Sequence, residues 1–369
     1  MILMNDNNAA SHGGNLYDAQ RQIGGDLREI LDFSANINPL GLSETILETL
    51  KASLESIIHY PDAEGYDLKQ AISQHYDVRV EEITLGNGAV ELMYILCHMI
   101  KPKRVLVTAP TFSEYAAATR ASGAKIEYFY LYAENNFTID IKAIAERLAN
   151  IDIVFICNPN NPTGTLLNNL QIEELLTAAK SYHTYVVVDE SFIDFLPTDG
   201  AYTCRQLLAQ YSNLIILHSL TKFYAIPGLR LGFSLANPEL TELLHSGKDP
   251  WNVNALAQKA GVAALKDHAY QHLSRTFIDK VKIDLYHSLL SIPSLKPYLP
   301  SVNFILINIT NTNMTGDELR RGMSSHNILI RDCSNYPGLS SQYIRIAVKR
   351  PEQNNILVET LKKIIGGVK

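Results

Sequence analysis

The sequence predicts an α/β protein with a mostly parallel sheet in a large domain and a smaller α+β domain after it. Three observations carry that prediction. Short apolar runs rich in β-branched residues recur between residues 104 and 235, with helix-period segments between most of them. This alternation is the pattern of parallel strands covered on both faces. The texture changes near residue 238, where a long helix-period stretch leads into strand-like runs and a last helix. Finally, 369 residues with 46% apolar and 19% charged content suit a folded chain with material for two lobes.

Taken in order, residues 1–45 are rich in Gly and Asn and read as an arm packing on the smaller domain. Residues 46–240 form the large domain, with strands expected at 104–108, 126–131, 151–157, 185–188, 214–217 and 231–235. Helices are expected at 139–148 and 170–179. Residues 241–369 form the small domain: one long helix over 255–290, strands in "VNFILINI", "ILIRD" and "YIRIAV", and a helix over 352–365. No low-complexity linker separates the lobes, so a shared cleft is expected.

Composition excludes several classes. A net charge of −6 argues against a nucleic-acid or anionic-membrane partner. The start "MILMNDNNAAS" has no basic segment or apolar run of a targeting signal, and the apolar stretch at 90–100 is too short to span a bilayer. Cys97, Cys157, Cys204 and Cys333 are scattered without a CxxC, as reduced thiols of a cytoplasmic protein would be. His268 and His272 have helical i, i+4 spacing, but no Glu follows as in HExxH; a solvated helix face is expected, and no metal.

In doubly wound sheets, ligands bind beyond the carboxyl ends of the strands. Four polar groups fall there. "GNGAVE" at 86–91 opens a helix whose free N–H groups make an anion cradle. "CNPNNPTG" at 157–164 follows the third expected strand. Asp189 ends the apolar run of "VVVDES", and Lys222 in "HSLTKFYAIPGLRLGF" follows another. Singly, each has an ordinary explanation: a tight turn, turn chemistry, a helix cap, a lysine reaching solvent. A buried Asp and a buried Lys both cost several kcal/mol unless partnered, so a bound partner explains them together.

In these motifs, above all "NPNNPTG", "DES" and "SLTKFYAIPGLRLG", the chain resembles the fold-type-I pyridoxal-phosphate enzymes, the aspartate-aminotransferase-like superfamily, over nearly its whole length. The resemblance implies pyridoxal 5'-phosphate as cofactor, with Lys222 as its Schiff-base amine and Asp189 paired with its pyridine nitrogen. It implies that the cofactor phosphate is held by the Gly88 and Ala89 amides, Ser219, Thr221 and Arg230. Asn161 would bond the phenolic oxygen and Phe112 would stack on the ring. Tyr60 would reach the neighbouring subunit's cofactor, so a homodimer with shared active sites is expected. Phe192 departs from the pattern, standing where most aminotransferases place a tyrosine.

A narrower resemblance lies in "SHGGN", "LDFSANINPLG", "SFIDF", "PWNVNALA" and "IRDCSNYPGL". These look like the threonine-phosphate decarboxylases of cobalamin biosynthesis, relatives of the histidinol-phosphate aminotransferases. That likeness implies a small phosphorylated amino-acid substrate. Arg345 and Asn161 would contact its carboxylate end; His12, Asn36 and Arg331 would take its phosphate. Transamination by a histidinol-phosphate aminotransferase stays open as the alternative. With this cofactor, the bond held perpendicular to the ring is the one that breaks, and pocket shape rather than any motif sets that. A non-catalytic protein on this fold is disfavoured by intact Lys222 and Asp189.

Overall fold

A computed structural model of the chain describes residues 13–24 and 26–367. Its larger sheet has seven strands: β1 (Ile83–Gly86), β2 (Arg104–Ala109), β3 (Lys125–Tyr130), β4 (Ile153–Cys157), β5 (Tyr185–Asp189), β6 (Leu214–Ser219) and β7 (Gly232–Ala236). Their spatial order is β1-β7-β6-β5-β4-β2-β3. The run β3-β2-β4-β5-β6 is parallel throughout, while β7 is antiparallel to both its neighbours.

Side-chain alternation explains why β4 to β6 are apolar at nearly every position. Val154, Ile156, Val186, Val188, Leu214 and Ile216 enter one core. Ile153, Phe155, Cys157, Val187, Ile215 and Leu217 enter a second core on the opposite face. The register pairs Cys157 with Asp189 and Asp189 with Leu217, so the carboxyl ends of these strands lie at one level. The polar segments after them therefore converge on one edge of the sheet.

The second sheet holds β8 (Lys296–Pro297), β9 (Phe304–Asn308), β10 (Arg331–Asp332) and β11 (Tyr343–Ala347), in the antiparallel order β10-β11-β9-β8. The N-terminal segment is stitched to it. Leu31–Asp32 pairs in parallel with Ile328–Leu329, Ala347 N donates to Phe33 O at 2.7 Å, and Asn303 Nδ2 donates to Asn36 O at 3.0 Å.

Three expectations about elements need correction, and β1 is a strand beyond those expected. The helix expected at 139–148 is confined to Ile141–Ala145. The stretch 255–290 is two helices, Ala255–Lys266 and His268–Leu290, because the Asp267 side chain accepts from Tyr270 N and starts a new helix. "ILIRD" is two short strands serving different partners, Ile328–Leu329 for the N-terminal segment and β10 for β11.

Candidate active site

A cavity of about 420 Å3 opens at the carboxyl ends of β4, β5 and β6 and is closed on its far side by β10, β11 and residues 34–36. It brings together Asn36, Ala89, Phe112, Asn161, Asp189, Phe192, Ser219, Thr221, Lys222, Arg230, Arg331 and Arg345. The placement of each follows from the chain around it.

Lys222 sits where the chain turns off β6. Ser219 Oγ and Thr221 Oγ1, just before it, lie 2.8 Å apart, and its own carbonyl accepts from Asn38 N at 3.0 Å. Burial, followed by the positive charges of Arg230 and Arg345, pushes its ammonium down to a pKa of about 8; Asp189 acts in the opposite direction. A lysine so placed has a free amine within reach near neutral pH.

Asp189 is 4% exposed at the end of β5. Tyr115 Oη donates to its Oδ2 at 2.7 Å and Ser191 N to its Oδ1 at 2.9 Å. Burial nevertheless holds its carboxyl above the ordinary aspartate range, against those bonds. Tyr115 stacks on Phe155 at 5.1 Å and meets Phe112 edge-on at 5.7 Å. Sequence reasoning missed Tyr115, although it stands three residues after Phe112 in the same motif.

The asparagine-rich loop after β4 divides its labour. Asn158 Nδ2 bonds Leu167 O at 2.9 Å, and Asn160 bonds Thr111, Pro110 and Thr163 at 2.7–3.0 Å. Only Asn161 of the three lines the cavity, where its Oδ1 accepts from Arg345 Nη1.

At the opening of helix Ala89–Ile100, Gly88 has φ of +79° and a Cβ there would stand 2.4 Å from Arg230 Nη2. Glycine thus lets the arginine lie against the helix N-terminus. Arg230 forms no ion pair among the described residues. Ala89, Ser219, Thr221 and Arg230 line the cavity, with Gly88 against the arginine, a set of donors suited to a phosphate.

Arg331 and Arg345 are cross-strand partners on β10 and β11, 7% and 5% exposed. Neither has a carboxylate partner among the described residues. Arg345 Nη2 donates to Ser34 O at 2.8 Å, its Nε has no partner, and Arg331 Nη2 donates to Asn335 Oδ1 at 2.8 Å. Like charges facing each other across a ladder are destabilising, and bound anions would offset them. Asn36, 5% exposed, also leaves its Oδ1 without a partner. Phe192 lines the cavity and meets Phe304 edge-on at 5.1 Å, an apolar wall where a hydroxyl would be polar.

One predicted residue does not line this cavity, and another falls outside the described residues. Tyr60 is 79% exposed, stacks on Trp251 at 4.6 Å and does not line the cavity of its own chain. His12 lies outside the described residues. His268 Nδ1 stands 3.4 Å from Gln271 Oε1, a contact within its own helix. Among the described residues no helix is long and apolar enough to cross a membrane, and all four cysteines are free and buried.

Residues 28–361 match the family described as aminotransferase class I and II, and the chain belongs to that family. Within it, the chain is 35% identical to the threonine-phosphate decarboxylase of Salmonella typhimurium over 361 residues, 97% of this chain and 98% of that one. Its structure is similar to that of L-threonine-O-3-phosphate decarboxylase from Porphyromonas gingivalis, with a TM-score of 0.81 at 28% identity, covering 91% of this chain and 100% of the other. It is also similar to the histidinol-phosphate aminotransferase from Clostridium acetobutylicum, with a TM-score of 0.86 at 29% identity, covering 92% and 100%.

Proposed function

We propose that this chain is a pyridoxal-phosphate-dependent decarboxylase. It converts L-threonine O-3-phosphate to (R)-1-amino-2-propanol O-2-phosphate in cobalamin biosynthesis. The observation that carries the reading is the charge balance of the cavity. Arg230, Arg331 and Arg345 lie on its walls without ion-pair partners among the described residues. Three anionic groups match them: a cofactor phosphate at Arg230, a substrate carboxylate at Arg345 and a substrate phosphate at Arg331 with Asn36. An ordinary amino acid would leave the third arginine uncompensated.

The cofactor fits the residues present. Phosphate donors beside Gly88 and Arg230, the Asp189 carboxylate and the Lys222 amine are gathered at one cavity, the three kinds of group such a cofactor needs. Bound there, it supplies an electron sink for the carbon that loses carbon dioxide. Asp189 would pair with the protonated ring nitrogen, and Tyr115 fixes the carboxylate that would do so. Arg345, itself held by Asn161 and Ser34, orients the carboxylate that departs. Lys222 Nζ would hold the proton that takes the place of the departing carboxylate.

A homodimer with shared sites belongs to this reading. Around Tyr60, Leu54, Ile57, Ile58, Tyr66 and Trp251 form an exposed apolar group, with Ile58 80% exposed. A second copy covering this surface would bring Tyr60 to a neighbouring site. The four free, buried cysteines support a reducing, cytoplasmic setting.

The test is to assay carbon dioxide release from L-threonine O-3-phosphate beside transamination of histidinol phosphate with 2-oxoglutarate. Decarboxylation of the first with negligible turnover of the second is expected. The reverse result would make the chain an aminotransferase.

A further inference from the structure

The segment after Arg331 folds back onto that arginine's side chain. Asp332 points to the other face of β10, and Ser334 binds both its carboxylate oxygens, through N and Oγ, each at 2.9 Å. The nearest carboxylate in sequence is thereby diverted from Arg331. Tyr336 N donates to Cys333 O at 3.1 Å and Leu339 N to Tyr336 O at 3.0 Å, which tightens the loop. Asn335 Oδ1 then accepts from Arg331 Nη2 at 2.8 Å, and the Tyr336 ring lies 5.3 Å from the guanidinium carbon. Tyr336 lines the active-site cavity. Asn335 does not; it lines a second cavity of about 450 Å3 that shares the Tyr336 and Phe112 walls.

We propose that Asn335 is a positioning residue that aims Arg331 at the substrate's phosphate while leaving its charge intact. This rests on the reading that Arg331 takes that phosphate. A guanidinium has five N–H donors in a rigid plane. One bond to a neutral amide oxygen, with an aromatic face against the plane, fixes its orientation and leaves the remaining donors for an anion. A carboxylate at the same place would hold the arginine more strongly and cancel the charge the phosphate needs. The acceptor at position 335 must therefore be neutral, and an asparagine meets that requirement. The aspartate at 332, turned to Ser334, completes it.

The test compares wild-type holoenzyme with Asn335→Ala and Asn335→Asp. Position 335 is exposed, so both variants should fold. KM and kcat for L-threonine O-3-phosphate come from steady-state kinetics, because it is turned over, and affinity for unphosphorylated L-threonine from calorimetry. Asn335→Ala should raise KM for the phosphorylated ligand several-fold with kcat kept within about twofold, because orientation is loosened and charge retained. Asn335→Asp should be weaker by a further factor of roughly ten, since the new ion pair neutralises Arg331. L-Threonine binding should move in neither variant. Asn335→Asp binding the phosphorylated ligand as well as Asn335→Ala, or parallel losses on both ligands, would overturn the proposal and leave Asn335 a loop residue. If wild type fails to bind L-threonine O-3-phosphate, the proposed function fails by itself. The same three proteins titrated with inorganic phosphate then decide the inference, with the order wild type, Ala, Asp supporting it and equal affinities overturning it.

Discussion

Lys222 shows how much of the site is written in electrostatics. Its folded-state pKa of about 8 lies below the 10.5 of an ordinary lysine, chiefly through burial and the nearby arginines. Below about pH 8 folded and unfolded chains both hold the proton, and the folded state bears the full cost. Above 10.5 neither holds it and the cost vanishes. The cofactor-free protein should therefore gain stability as pH rises through that window. Lys222→Met should remove the dependence and stabilise the cofactor-free protein near neutral pH by on the order of 2–3 kcal/mol. Denaturant midpoints at neutral and alkaline pH check this, and a variant less stable than wild type at neutral pH would contradict it. The loaded enzyme behaves oppositely, since the same variant should lose turnover and borohydride should no longer fix the cofactor. Asp189→Asn keeps the Tyr115 contact possible but removes the charge, and kcat should fall on the order of a hundredfold. Near-normal turnover would place the ring-nitrogen partner elsewhere. Arg331→Ala should raise KM for threonine phosphate steeply and leave cofactor absorbance unchanged. Equal loss on unphosphorylated threonine would make Arg331 structural instead.

Whole elements were legible in the sequence where one physical signal dominated. β4, β5 and β6 are buried on both faces, so each reads as an unbroken apolar run. β1 escaped because "ITLG" is four residues long and its signal merges with the glycine turn after it. The break at Asp267 was legible in principle, since an aspartate opening a new apolar period is a helix-start signature. The division of "ILIRD" was not, because a strand's composition does not name its partner. The same limit applied within the site. Lys222, Asp189 and Asn161 announced themselves as polar residues at strand ends. Tyr115 and Asn335 act through a neighbour's side chain, and only tertiary contact reveals them. Gly88 belongs to the first kind. Its positive φ and its 2.4 Å Cβ approach to Arg230 mean that Gly88→Ala must strain the backbone and displace the guanidinium from the helix N-terminus. Cofactor dissociation, followed by absorbance, should weaken by roughly tenfold or more. Unchanged affinity would remove this corner from the phosphate site.

At the scale of the whole molecule, the decisive residue is Tyr60. It belongs to the predicted site by the family resemblance, yet it stacks on Trp251 at the surface, among other exposed apolar residues. These facts agree if the surface is an isologous interface, since a two-fold contact carries each Tyr60 toward the other subunit's cavity. Burying Ile58, Tyr60 and their neighbours would also supply the apolar centre that a stable dimer needs. The assembly then makes a prediction that no single-chain site can satisfy. Lys222→Ala and Tyr60→Ala each impair turnover when assayed alone at limiting cofactor. Mixed and allowed to exchange subunits, half the dimers are hybrids. In each hybrid one site carries both lesions and the other carries neither. Activity should recover toward about a quarter of the wild-type sites. If Tyr60 served its own chain, every site in the mixture would keep one lesion, and activity would stay at the average of the two variants. Ile58→Glu should abolish the recovery by placing a charge in the interface, and sedimentation should show that variant as a monomer.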